Sequence, residues 1–139
     1  MVYWVDLGMN QSKEKENIHQ YMAIELNVQT WNLLGKKDRN ENDDKRMLFF
    51  AKASLHHWRK SPDYKPVNEQ RGEWLISYVF AVLNLGDESL RHAKTCMDIT
   101  MKKCFLNAKD SGEKIIRDED RKLFFDDLHK GPWFECMGD

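Results

Sequence analysis

Glycine and proline are scarce in this chain, with seven Gly and three Pro in 139 residues, and most of them fall between periodic apolar stretches. That scarcity excludes a collagen-like or low-complexity chain. Val and Ile are also few and no alternation of apolar and polar residues persists, so strands are excluded as the main element. The three cysteines, Cys96, Cys104 and Cys136, lack C-x-x-C spacing. Structural zinc therefore has no motif here, and Cys96 and Cys104 read as small packing residues in a reducing compartment. Charge of one sign is missing as well: Lys plus Arg is 22 and Asp plus Glu is 23. A nucleic-acid partner usually leaves a basic excess, so none is expected. No apolar run approaches the roughly 20 residues of a membrane span, and residues 1–7 lack the basic start of a signal peptide. The reading is a cytoplasmic chain with neither a membrane nor a cofactor to bind.

Helical periodicity is what remains. Residues 17–34 place Ile18, Met22, Leu26 and Leu33 among Tyr21, Ile24, Val28 and Trp31, a broad apolar face ended by Gly35. A charged loop follows, and Asn42, Asp43 or Asp44 is the expected cap of a helix reaching Lys60. That helix offers Met47, Leu48, Phe50, Ala51, Ser54, Leu55 and Trp58 to the core. Pro62 and Pro66 mark residues 61–66 as a turn. Next comes a helical hairpin, with Asn68 as N-cap and Gly86 as the positive-φ residue between its arms. The first arm carries an apolar face of Trp74, Leu75, Val79 and Leu83, with Ile76, Phe80 and Val82 on a neighbouring stripe. A last helix, 119–130, begins at the cap candidate Asp118 and stops at Gly131-Pro132. The expectation is an all-α single domain over 1–139, its first sixteen residues a loosely ordered end.

The second arm of the hairpin is long. No Gly or Pro interrupts the chain between Gly86 and Gly112, and Leu90, Ala93, Met97, Met101, Cys104, Ala108, Gly112 and Ile115 recur at steps of three and four. Acid-then-base pairs four residues apart, such as Asp87–Arg91 and Asp110–Lys114, decorate its outside. One helix over 87–115 would be about 43 Å long against about 27 Å for its partner over 68–85. Its far half then needs cover that the last helix, with few large residues, supplies in part. A second copy of the chain is the expected remedy, a homodimer contacting through Met97, Met101, Cys104, Phe105 and Ala108, with Trp133 beyond the last helix.

Residues with chemistry to offer are scattered. His56 and His57 are adjacent and point about 100° apart on a helix, so they do not chelate one metal alone. Arg71 and Glu73 flank Gly72, whose place in a helix costs about 1 kcal/mol relative to Ala and marks close packing or fraying. His56, His57, Arg71, Glu73, Trp74 and His92 are the candidate groove or partner contacts. No His-Glu-x-x-His, P-loop or nucleophile elbow occurs. An enzyme or metal-dependent protein would have to assemble a site from His57, His92 and Glu73.

The stretch 70–103 resembles one tetratricopeptide unit without a gap, with small residues at Ser77 and Ser89, a large aromatic at Phe80, and Ala93 and Cys96 in the second arm. Trp74 is displaced by one residue from the motif's leading Trp, and the terminal Pro is absent. Residues 71–77 and 90–96, with Ala53-Ser54-Leu55-His56-His57-Trp58 upstream, resemble a family of small uncharacterised tetratricopeptide-like helical proteins of prokaryotes, over about residues 23–128. The resemblance implies antiparallel helical hairpins and no known activity. It also implies a family helix after Thr100 that has no counterpart here. Together these readings favour a non-catalytic module for self-association and protein or peptide binding.

Overall fold

A computed structural model describes residues 3–130, with side chains at 14 and at 17–130. Five helices make up the fold: α1 (Tyr3–Leu34), α2 (Glu41–Lys60), α3 (Pro66–Val82), α4 (Gly86–Glu113) and α5 (Asp118–His129). No strand occurs among the described residues, so the chain is all-α. Each helix packs on the next in sequence. Cross-helix pairs give the direction. His19 meets His57 and the Ala23 carbonyl meets Ser54, so α1 and α2 are antiparallel. Arg59 meets Glu69, Ser77 meets Ser89 and Gln70 meets Thr100, which makes α3 antiparallel to both α2 and α4. Phe105 meets His129, and Gly112 meets Phe124, so α5 runs back along the far half of α4.

Helix ends differ from the expectations by a few residues, each for a local reason. The α2 cap is Asn40, not one of 42–44: its Oδ1 accepts from the Asp43 N–H at 2.9 Å while Asp43 accepts from the Asn40 N–H. This reciprocal pair satisfies two of the orphan donors of a helix start. The cap of α3 is Lys65, with Pro66 in the first turn, where a missing N–H costs nothing. Asn68 sits inside that turn and reaches back to the Lys65 N–H at 2.8 Å. The positive φ between α3 and α4 belongs to Asn84, at 60°, and Gly86 is the first residue of α4. Asp118 opens α5 instead of capping it, and Arg117 is the cap. α1 begins at Tyr3, well before the expected start at 17. Trp133 lies outside the described residues.

The core sits between the second half of α1, α2 and α3. Leu33, Met47, Ala51, Leu55, Leu75, Ile76, Val79 and Phe80 form one buried cluster, with Leu48, Phe50, Val82 and Leu83 packed against it. Gly72 lets α2 and α3 close: a Cβ there would stand 2.5 Å from Leu55 Cδ1, so the close-packing reading of that glycine is the right one. Between α3 and α4 the two small residues do the same. Each of Ser77 and Ser89 donates its hydroxyl to the other's carbonyl at 2.8 Å. α4 has 28 residues and α3 has 17. The unmatched part of α4 is covered by α5, which buries Phe105 and Gly112.

Candidate partner-binding groove

α1 and α3 both lie on α2, and a groove of about 230 Å³ runs between them. Ala51, Ser54 and Trp58 of α2 lie at its floor, Ile24, Asn27 and Val28 on one wall, and Asn68, Arg71, Gly72 and Leu75 on the other. The groove continues as an aromatic shelf. Trp31 of α1 faces Trp74 and Tyr78 of α3, each with ring centroids 6.1 Å away, and Trp74 stacks on Tyr78 at 5.6 Å. All three rings remain between 43% and 49% exposed. Tyr21, Ile24, Val28 and Trp31 recur at three and four residues and form a solvent-facing stripe along α1. They belong to the broad apolar face that the sequence places along this helix. The periodicity is helical, and among the described residues no helix covers this stripe.

Arg71 is the charged residue of this groove. It is exposed and has no carboxylate at ion-pair distance among the described residues. A free guanidinium beside tryptophan and aliphatic walls is suited to a carboxylate presented by an apolar ligand.

Glu73 and His92 belong elsewhere. Glu73 is only 6% exposed and lies at the junction of three helices. His92 Nδ1 of α4 donates to its Oε2 at 2.5 Å, and Arg59 of α2 donates to Oε1 at 3.4 Å. Arg59 Nε also bonds both oxygens of Glu69 at 3.0 Å, and the Tyr64 hydroxyl donates to Glu69 at 2.9 Å. The Arg59 guanidinium holds the Glu69 carboxyl below its usual range. The His92 ring stacks on Phe80 at 5.4 Å, and Lys52 lies over the same Phe80 ring. Every member is spent on another, as a buried polar network requires. Cys96, one turn along α4 from His92, has its thiol pushed up by burial and then by the charge of Glu73, the opposite of an activated nucleophile.

The three residues of the enzyme reading are thus divided. Glu73 pairs with His92, whereas His57 pairs with His19 of α1, Nδ1 to Nδ1, at 2.8 Å. Burial pushes the His57 imidazole down, and the neighbouring His19 charge adds to it. His56 is exposed and meets the His57 ring edge-on at 5.6 Å. Among the described residues no group of three or more His, Cys, Asp or Glu is placed to hold a metal ion. Nor is any described helix long and apolar enough to cross a membrane.

The residues expected at a dimer seam also divide. Phe105 is 6% exposed and buried within the chain, so it is not available to a second copy. Ala108 and Met101 are half-buried and Cys104 is exposed. Met97 is 61% exposed and Leu90, two turns earlier on the same face, 55%. Compared with models of known families, with curated proteins and with solved structures, the chain matches none.

Proposed function

We propose that this chain is a non-catalytic, tetratricopeptide-like module whose groove between α1 and α3 binds an apolar peptide segment carrying an acidic residue. The observation that carries the reading is the uncovered stripe Tyr21, Ile24, Val28 and Trp31 facing Trp74 across a groove that holds the unpaired Arg71. Solvent-facing Trp, Tyr and Arg around a concave surface are the composition of interface hot spots. The tetratricopeptide-like arrangement is supported by the antiparallel sequence of neighbours and by the Ser77–Ser89 approach. The non-catalytic reading is supported by the mutual saturation of Arg59, Glu73 and His92 and by the suppressed Cys96 thiol.

Peptide display against the whole chain is the test. Selected peptides are expected to combine a large apolar residue with Asp or Glu, and to lose binding on Val28→Asp or Trp74→Ala, both exposed positions whose change leaves the helical content intact. Selection without an apolar–acidic pattern, or binding indifferent to both substitutions, overturns the reading. A second contact is proposed on α4, where Leu90 and Met97 form an exposed apolar stripe with the small residues Ala93 and Cys104 beside them. Two such stripes packed across a two-fold axis make a homodimer.

A further inference from the structure

We propose that a second cleft, between the α2–α3 turn and the middle of α4, binds a long-chain carboxylate. It lies on a different part of the molecule from the α1–α3 groove and shares no lining residue with it. Its volume is about 580 Å³, within the range of small-ligand sites. Pro66, Val67, Ile99 and Leu106 supply aliphatic walls, and Leu106 is half exposed, so this surface has no cover within the described chain.

Charge decides what the occupant carries. Lys65, Lys102 and Lys103 line the cleft and are all exposed. No carboxylate stands at ion-pair distance from any of them among the described residues. The acidic side chain in the wall, Glu69, is already held by Arg59 and Tyr64. The cleft is therefore apolar inside and cationic at its lysines, the complement of an amphipathic anion. Lysine supplies this head group with a compact charge on a flexible stem, which can reach a carboxylate at the mouth of the cleft. A peptide fits less well. Its backbone N–H groups need acceptors along the cleft, and with Glu69 already held by Arg59 and Tyr64 the side-chain acceptors left in the lining are Asn107 and the Tyr64 hydroxyl oxygen. An alkyl chain asks for none.

Titration calorimetry of the full chain with laurate below its micellar concentration, with dodecanol as the uncharged control, tests this. One laurate per chain is expected, with dodecanol weaker by about tenfold or more, equivalent to about 1.4 kcal/mol. Lys102→Glu with Lys103→Glu is expected to weaken laurate by a similar factor, with helical content unchanged by circular dichroism because both side chains are in solvent. Leu106→Trp, which fills the cleft, is expected to block it, whereas Arg71→Ala in the other groove is expected to leave it unchanged. Absence of laurate binding overturns the proposal. So does equal affinity for the alcohol, indifference to charge reversal, uptake of many molecules per chain, or loss of binding on Arg71→Ala.

Discussion

Gly72 and Glu73 sit side by side and show how single residues hold α3 in place. At Gly72 two effects of opposite sign compete. Alanine improves helix propensity by up to about 1 kcal/mol. Its methyl, however, would stand 2.5 Å from Leu55 Cδ1 and 3.1 Å from both Cβ and Cγ, so the whole leucine must move. Overpacking of that kind costs about 1–3 kcal/mol. Gly72→Ala is therefore predicted to lower unfolding free energy by about 1 kcal/mol, and Gly72→Val by more, read from urea titrations. Glu73→Ala removes the acceptor that His92 and Arg59 share inside the fold. A cost of about 1–3 kcal/mol is expected, because the largely buried His92 is left without its acceptor while the half-exposed Arg59 keeps Glu69. An alanine variant as stable as the parent would show that the network contributes nothing to the packing of α3 on α4.

Among the elements, the α1–α2 seam carries a histidine, His57, whose titration is shifted by folding. His57 in the folded chain lies below its ordinary value, first through burial and then through His19. The unfolded chain takes up a proton at His57 near pH 6.5, before the folded chain does. This contribution to stability is therefore intact above that pH and falls as acid is added, until the folded group also titrates. Thermal melts between roughly pH 5 and 8 should show a falling midpoint toward acid, and His57→Gln should flatten it. An unchanged slope in that variant would place the acid sensitivity elsewhere. Helix existence was legible in the residues because the apolar period of 3.6 needs no knowledge of neighbours. Ends were less legible. Pro66 starts α3 while Asn68 bonds back from its first turn, and Asn84 takes the left-handed conformation that Gly86 was expected to hold. The capping chemistry was there, displaced by two or three positions. Least legible was exposure. The stripe from Tyr21 to Trp31 and the stripe through Leu75 and Val79 have the same periodicity, and only the second has a helix packed on it. Periodicity marks a face as apolar but does not say what covers it.

At the scale of the whole molecule, apolar surface is left uncovered on α1 and on α4. α5 covers the far half of α4, which explains why Phe105 is internal while Met97 is not. If two Leu90–Met97 faces pair, light scattering should give a mass near twice the 16.6 kDa of one chain. Met97→Glu should return the single mass with helicity retained, since the side chain faces solvent. A single-chain mass at every concentration would remove the dimer and leave the groove unaffected. In the proposed groove Arg71 would choose the ligand's charge, and reversing that charge is the most direct measurement. Peptides selected by display against the parent chain should carry Asp or Glu beside their apolar anchor, and those selected against Arg71→Glu should carry Lys or Arg beside the same anchor. A swap of charge with the anchor retained is the predicted result. Identical selections from both proteins would contradict the assignment of this groove as the binding site.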